Sequence, residues 1–576
     1  MDDALRERVE HEAKKHALLN AVKHDGDPDV GAVMGPLMGD NPDFRDHADE
    51  VPGVVAAVVG ELSDLGQDER RSRLETLAPD ALAELEADDE QDEQSLPDLP
   101  GVEEGDPVRM RCAPNPNGPW HVGHARMPAV IGTYKARYDG WFCLRFDDTD
   151  PETKRPDLDA YDAIGDAVRY LGFEPDETSL ASDRLEVYYD YARELIDYEG
   201  AYTCACSGER FSELKNAGEA CPHREKEPAT IREEFDAMVA GEYESGDLVL
   251  RVKTDIGHKN PALRDWVAFR MVDTPHPRPE AADYRCWPML DFQSGIDDHE
   301  FEITHIIRGI DLQDSAKRQR FVYEYFDWEY PEVLHWGHVQ LDEYDVPLST
   351  STIAERIEAG DLDGWDDPRA PTIASLRRRG IRGEAITEAM VELGTSTSDV
   401  DLAMSAIYAH NRDLIDDETE RRFAVRNGTD VALGGDPPST ASPPLHPDHD
   451  DWGIREIPVG ESVHLEPDDL PDRESRVWLK GLGCFRYTRD ALVYTGDDID
   501  VVREGDVDVI HWVPTEASIP LTLRTPGGDV AARAEPGTGT LDADTLVQFE
   551  RVGFARIDTG SDSADEPAFV AYFAHP

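Results

Sequence analysis

The sequence predicts a multidomain protein in which an α/β domain on a parallel sheet is followed by an all-β region. Three observations carry this. Strand-length apolar runs alternate with helix-length amphipathic runs from residue 108 to about 172, the pattern of a parallel sheet with crossover helices. From about residue 430 the chain changes to short β-rich runs broken by Gly, Pro and Asp, which suits one or two small barrels. Ahead of both, residues 1–86 carry Leu, Val and Ala at helical spacing with charges between them.

In chain order, residues 5–22 (LRERVEHEAKKHALLNAV) and 69–86 (ERRSRLETLAPDALAELE) read as short helices of an N-terminal extension, 1–86, a region suited to a protein partner. The acidic run 87–107 lacks periodicity and ends in Pro and Gly, so it reads as a linker. Residues 108–113 form a strand, 121–139 a helix, 141–146 a strand and 158–172 a helix, giving a first half of the sheet domain over 108–203. A Cys-rich stretch and mixed segments at 204–284 look inserted. FEITHIIRG (301–309) resumes the strand pattern after them, giving a second half over 285–350. A helical region covers 351–425, and 426–576 holds the β-rich runs, among them RVWLKGLGCFRY, IPLTLRT and AFVAYFAHP.

At 576 residues the chain has room for several cores. Lys+Arg 57 against Asp+Glu 123 gives a formal net charge of −66, which ordinarily repels nucleic acid. Disorder is the other reading of such charge, but a hydrophobic fraction of 39% with 10 Trp and 19 Tyr argues against it. The acid is scattered along the whole chain. Such a surface is soluble where salt is molar and the Debye length falls to about 3 Å, so the composition points to a salty cytoplasm and leaves the reaction open. Any nucleic-acid contact in such salt would gain little from counterion release and would rest on hydrogen bonds, shape and stacking. The N-terminus lacks an apolar signal core, and VVAAVV (54–59) is too short to span a bilayer, so a cytoplasmic protein is expected. Seven cysteines, three of them within 204–221, do not suggest a disulfide framework.

The sharpest chemical signal is RCAPNPNGPWHVGHARM, 111–127. A strand ends in a Pro/Asn/Gly loop and feeds a helix whose first turn holds His121, Gly123 and His124. Unpaired N–H groups and the positive dipole end make such a terminus an anion site, suited to the phosphates of ATP. Two imidazoles three residues apart both reach a transferring phosphate, and Gly123 lets a flat adenine lie against the backbone. HxxH alone would be read as two surface histidines; the strand and loop before it decide the matter. No GxxxxGK[ST] is present, which excludes a P-loop enzyme. Separately, Cys204, Cys206, Cys221 and His223 stand as CxC…CxH, a ligand set for a closed tetrahedral structural Zn²⁺ site. Two pairs of reduced thiols beside an incidental histidine is the open alternative. Arg377, Arg378, Arg379 and Arg382 form the clear basic patch of this acidic chain, as an ion-paired helix surface or as a phosphate contact.

PNPNGPWHVGH resembles the first signature of the class I aminoacyl-tRNA synthetases, in their glutamyl/glutaminyl branch. LRFDDTDP (144–151) resembles the acidic second-strand motif of that branch, and IDDHEFEITHIIRGIDLQDSAKRQ (296–319) the segment with its amino-acid-binding arginine. SLRRRGIRGEAI (375–386) resembles the helical segment after the second signature, and VIHWV (509–513) is also similar. A helical extension joined to a β-barrel C-terminus resembles the archaeal glutamyl form, since bacterial ones end in helices.

The resemblance implies a Rossmann-like class I catalytic domain with an inserted acceptor-binding domain, a helical stem-contact region and C-terminal β-barrels that bind the anticodon. It implies glutamate, ATP with Mg²⁺, and tRNA(Glu) as reactants, with tRNA(Gln) a second substrate in many archaeal relatives. His121 and His124 would be catalytic. Pro114, Asn115, Gly118, His121, Gly123, His124, Ser349 and Thr350 would face ATP. Arg111 and Arg308 would hold the carboxylates of glutamate, for which a guanidinium fork is suited. Asp147 would take the α-ammonium, and Asn115 would face the amino acid. Arg377, Arg378 and Arg379 would approach the inner corner of the tRNA, and several relatives carry zinc at the cysteine cluster.

Two departures stand out. The second signature, lysine-bearing in the family, falls at LSTSTI (348–353), which has none. Losing one preorganised donor costs about 3 kcal/mol, so Arg356 or Lys317 is expected to substitute, unless the hydroxyls and Mg²⁺ suffice. Leu290 stands where relatives often have a tyrosine lining the amino-acid pocket. A glutaminyl enzyme and a catalytically silent RNA-binding paralogue are the rivals, and the intact HVGH disfavours the second.

Overall fold

The computed structural model describes residues 3–23, 28, 30–40, 44, 51–63, 65–78, 96–341, 343–489, 491–503, 507–558 and 569–576. It forms two compact units, Met1–Pro97 and Asp98–Pro576. The first holds α1 (Asp3–Lys23), α2 (Val30–Asp40), α3 (Val51–Ser63) and α4 (Gln67–Leu77). Val9, Ala13 and Ala17, four residues apart and so on one face of α1, share a core with Val33, Leu37, Val55 and Leu74. Helix α4 covers the first part of the helical run expected over 69–86. Residues 79–95, with the start of the expected linker 87–107, lie outside the described residues.

In the second unit, β1 (Arg109–Cys112), β2 (Trp141–Phe146) and β3 (Glu177–Leu180) form a parallel sheet in the order β1-β2-β3. A 3₁₀ turn, Val122–Ala125, leads into α5 (Arg126–Tyr138), and α6 (Leu158–Tyr170) joins β2 to β3. After α7 (Leu185–Asp197) the chain makes an antiparallel sheet of β4 (Ala201–Cys204), β5 (Val249–Val252), β6 (Val267–Met271) and β7 (Cys286–Pro288). Helices α8 (Gly208–Ala217) and α9 (Pro228–Val239) lie between β4 and β5. The insert therefore begins at Ala201 and ends at Pro288, a few residues outside the expected 204–284 on both sides. Tyr188 and Tyr189 of α7 belong to its core, with Phe235, Phe269 and Trp287.

Helix α10 (Leu290–Glu300) returns the chain to β8 (His305–Gly309), and α11 (Gln313–Phe326) leads to β9 (Glu332–Trp336), parallel to β8. Strand β8 lies beside β1: Thr304 N–H donates to Arg109 O at 2.9 Å, and Arg109 N–H donates to Thr304 Oγ1 at 2.9 Å. Read across, the order is β3-β2-β1-β8-β9, and the direction of winding reverses between β1 and β8. That switch point opens a crevice beyond the carboxyl ends of the strands, next to Arg111 on β1 and Arg308 on β8.

Helices α12 (Thr350–Glu358), α13 (Ile373–Arg379), α14 (Gly383–Glu392) and α15 (Met404–Ile415) follow. A Cβ on Gly383 would meet Tyr170 O at 1.7 Å, so α14 docks backbone to backbone on the end of α6. The first C-terminal strand starts at Glu420, before the expected 426. Two seven-stranded sheets follow. The edges of one are the consecutive segments Glu420–Arg422 and Ala424–Arg426, with Phe423 alone between them, so the sheet curls back on itself. The edges of the other, Asp508–Ile510 and Val513–Pro514, are as close in sequence, and this sheet curls likewise. Side chains alternate along the seam: Phe423 and Val425 enter one barrel core and Ala424 the other. No helix among the described residues is long and apolar enough to cross a membrane.

Candidate active site

The crevice at the switch point is a continuous cleft with two halves. One is a cavity of about 420 Å³ bounded by Arg111, Asp147, Met289, Leu290, Gln293, Ile307 and Arg308. The other, about 540 Å³, is bounded by Pro114, Asn117, His121, Gly123, His124, Leu348, Thr350 and Ser351. Asn115, Lys154, Asp311 and Trp336 line both.

A buried charge frame forms the floor of the first half. Arg111 donates through Nε to Asp298 Oδ1 at 2.9 Å and through Nη2 to Oδ2 at 3.2 Å. Arg145, fully buried on β2, donates to the same Oδ1 at 3.1 Å, to Asp147 Oδ1 at 3.0 Å and to Ser294 Oγ at 3.0 Å. Arg308 stands 3.8 Å from Asp298 and donates to Gln319 Oε1 at 3.2 Å, while its Nε has no partner. One carboxylate therefore gathers three guanidiniums. Burial, then Arg111, pulls Arg308 below its ordinary pKa. A cation that is desolvated and repelled by a neighbour is stabilised by an incoming anion, so the frame suits a carboxylate ligand. Asp147 faces the cavity beside it, its other side held by Arg145.

Arg145 and Asp298 of the frame, and Gln293 beside it, were not singled out from the sequence. Asp298, with Asp297, sits in IDDHEFE on α10, where Gln293, Ser294, Asp297 and Asp298 are all buried. Gln293 lines the cavity with neither amide atom hydrogen-bonded. An unmade buried amide is expensive, which suits this side chain to a polar ligand. The sequence signal was polar residues on an apolar helix face, hidden among the many other acids. Leu290, 40% exposed, lines the cavity where the tyrosine was expected from relatives.

In the second half the rings of His121 and His124 lie 3.8 Å apart. The loop before them is clamped to the loop after β2: Asp147 N–H donates to Pro114 O at 2.9 Å, Asn115 Nδ2 to Asp147 O at 2.8 Å, and Asp157 N–H to Pro116 O at 2.8 Å. The helix terminus is less open than expected, because Val122 N–H donates to Pro371 O at 2.9 Å and a 3₁₀ turn precedes α5. Gly118 packs rather than lines: a Cβ there would meet Thr350 Cγ2 at 2.6 Å, so it lets the two signature loops touch. Thr350 and Ser351 face the cleft, whereas Ser349 caps α12 by accepting from Thr352 N–H at 3.4 Å.

Burial, then the neighbouring His124, pulls His121 from 6.5 down to about 2; burial pulls His124 down to about 4. Both rings are neutral at working pH. The unfolded chain takes up these protons first, so the stability they govern is intact above about pH 6.5 and is lost as pH falls toward 4. Urea midpoints followed between pH 7 and 4.5 should therefore fall less steeply in His124→Gln than in the unaltered chain. Equal slopes would exclude this titration.

Neither expected substitute for the missing lysine reaches the cleft. Arg356 turns back to Asp345 O at 3.5 Å, and Lys317 pairs with Asp314 at 3.1 Å. The three arginines of α13 also separate. Arg379 is fully buried and donates to Phe573 O, Tyr344 OH and Tyr408 OH at 2.8, 2.6 and 2.9 Å. It is out of reach of RNA, which corrects that expectation. Arg378 is paired with Asp366 at 2.7 Å and Asp558 at 3.2 Å. Arg377 remains exposed, over the ring of Tyr170 at 5.0 Å. Asp148, beside Asp147, is fully buried and accepts from Ser182 N–H, Ser182 Oγ–H and Tyr161 OH, holding the loop rather than facing solvent.

In the insert, Cys204 Sγ and Cys221 Sγ are 3.7 Å apart and Cys206 Sγ lies 3.5 Å from His223 Nδ1. All four ligand atoms fall within 4.8 Å of one another, and no disulfide joins the cysteines. The remaining four, Cys112, Cys143, Cys286 and Cys484, are buried in cores.

Comparison with known proteins agrees with this arrangement. Residues 107–417 match the model of the tRNA synthetases class I (E and Q) catalytic domain, and 419–501 and 509–558 match two anticodon-binding domains of the same class. The chain is 67% identical to a glutamate–tRNA ligase of Natronomonas pharaonis and 66% identical to one of Haloarcula marismortui, covering 100% of both chains in each case. It is 43% identical to one of Methanosarcina acetivorans, over 98% of each chain.

Proposed function

The chain belongs to the class I tRNA synthetases of the glutamate and glutamine branch, and from that membership we infer that it is a glutamate–tRNA ligase. The observation that carries the substrate is Arg308, buried beside Arg111 with no carboxylate at hydrogen-bonding distance and with Asp298 shared among three arginines. A dicarboxylate completes that frame, with Asp147 beside its α-ammonium. An oxygen of the glutamate α-carboxylate attacks the α-phosphorus of ATP in line. The bond from that phosphorus to the diphosphate oxygen breaks, and its electron pair leaves with diphosphate. His121 and His124 donate hydrogen bonds to phosphate oxygens as charge builds there. Mg²⁺, held chiefly by the phosphates with Asp311 facing the same space, supplies charge neutralisation when bound. In the second step a terminal ribose hydroxyl of tRNA, the 2′-hydroxyl by class I practice, attacks the acyl carbon, and AMP departs with the hydroxyl proton.

The test is charging of total tRNA with labelled glutamate and labelled glutamine in molar KCl, with and without ATP. ATP-dependent incorporation of glutamate is the expected result. Incorporation of glutamine would move the pocket to the rival enzyme, and tRNA binding without charging would leave only a binder. Glutamate on purified tRNA(Gln) as well as on tRNA(Glu) would establish the wider range. The site of work is the cytoplasm, where tRNA is charged. The N-terminal unit, with a core of its own among the described residues, is assigned to a protein partner, to be sought by capture on full-length chain.

Cys204, Cys206, Cys221 and His223 are assigned a structural Zn²⁺. Ligands about 2.3 Å from a common tetrahedral centre lie about 3.7 Å apart, close to the separations of these sulfurs and this nitrogen. Metal analysis is expected to give about one Zn per chain, and a chelator to lower the unfolding temperature of the insert. Well under one Zn per chain in active protein would sink the assignment.

A further inference from the structure

Resting on the reading of this chain as an ATP-dependent ligase, we propose that Lys154 is the phosphate-binding cation that replaces the lysine absent from LSTSTI. Charge developing on the transferring phosphoryl group has to be met by a preorganised cation. The other basic side chains of the cleft are already engaged. Arg111 is on Asp298, Arg126 donates to Gly337 O and Gly394 O, Arg270 is on Asp150, and Arg308 is on Gln319. Among the described cleft residues, Lys154 is the lysine or arginine with no ion pair or hydrogen bond of its own. That is unusual in a chain where acids outnumber bases 123 to 57.

Its position is as telling as its freedom. Lys154 lines both halves of the cleft, the one with the carboxylate frame and the one with His121 and His124. The reacting α-phosphate has to lie where those halves meet. The backbone beneath it is held: Asp150 accepts from Glu152 N–H at 3.2 Å and Thr153 N–H at 2.9 Å, and Arg270 donates to the same carboxylate at 2.8 Å. On the far side Arg155 donates to Pro151 O and Pro275 O at 3.0 and 2.8 Å. The ammonium is thus carried on a fixed turn, itself clamped to the first signature loop through Asp157 and Pro116.

The test compares Lys154→Met and Lys154→Arg with the unaltered chain in molar KCl, with tRNA present. Two steps are measured: glutamate-dependent ATP–diphosphate exchange, and single-turnover transfer from supplied glutamyl-adenylate. Lys154→Met should lower exchange at least about 100-fold while transfer stays within about threefold, and Lys154→Arg should recover at least a tenth of exchange. Because Lys154 is exposed, the unfolding temperature should not move. Exchange by Lys154→Met within threefold of the unaltered chain overturns the proposal. Equal losses in both steps with a lowered unfolding temperature also overturn it, as a structural role. No charging by the unaltered chain would instead bring down the ligase reading and this proposal with it.

Discussion

Asp298→Ala is expected to cost the fold about 3–5 kcal/mol and to bring glutamate charging below detection. The carboxylate is fully buried and receives Arg111 in a two-point contact, Arg145 at 3.1 Å and the field of Arg308 at 3.8 Å. Removing it leaves three guanidiniums facing one another out of water, which is the costly way to break a buried pair. It also frees Arg111 to swing away from the substrate position. Burial pushes Asp298 up, but Arg111 and Arg145 outweigh it and hold the group below the usual carboxylate range. Its contribution is therefore complete at neutral pH and is lost only as pH falls through that lowered value. Asp297 next to it goes the other way, because burial outweighs Arg145 and Arg184 and raises it. Neutralising Asp297 as Asn should accordingly be milder than Asp298→Asn. Urea unfolding and ATP–diphosphate exchange on the three variants check both statements. Charging by Asp298→Ala within tenfold of the unaltered chain would refute the frame.

The strands and helices of the sheet domain were legible because each is short, periodic and bounded by loop residues. WFCLRF became β2 as Trp141–Phe146, and the helix expected over 158–172 is Leu158–Tyr170. The position of Arg111 and Arg308 at one crevice follows from the reversal of strand order, which pattern alone does not reveal but the family motifs did. What stayed hidden depends on long-range partners. The barrel seams at 420–426 and 508–514 pair residues far apart in sequence, and nothing local in ERRFAVR says that Phe423 and Ala424 enter different cores. Asp298 was hidden by composition: in a chain with 123 acids, this one and its neighbour Asp297 carry no signal until their burial is known. Lys154 was passed over because partnerlessness is a property of space.

The three consecutive arginines of α13 make the same point as an experiment, since identical residue types should give opposite phenotypes. Arg379→Ala is expected to destabilise by about 3 kcal/mol or more. Its guanidinium ties α13 to Tyr344, to Tyr408 of α15 and to the carbonyls of Phe573 and Ala574 on the last strand. Without it those buried acceptors lose their donor, and the helical region loosens from the barrel. Arg377→Ala leaves the unfolding temperature in place, because the side chain is exposed and rests only on the ring of Tyr170. If Arg377 contacts a phosphate, its loss raises KM for tRNA about tenfold, the worth of one charge-assisted hydrogen bond, with kcat little changed. Thermal unfolding and charging kinetics in molar KCl separate the two. An Arg379→Ala protein of normal stability with a raised KM for tRNA would reverse the assignment, returning Arg379 to the RNA surface. A normal KM in Arg377→Ala would instead remove α13 from the tRNA contact altogether, because Arg378 is already neutralised by Asp366 and Asp558.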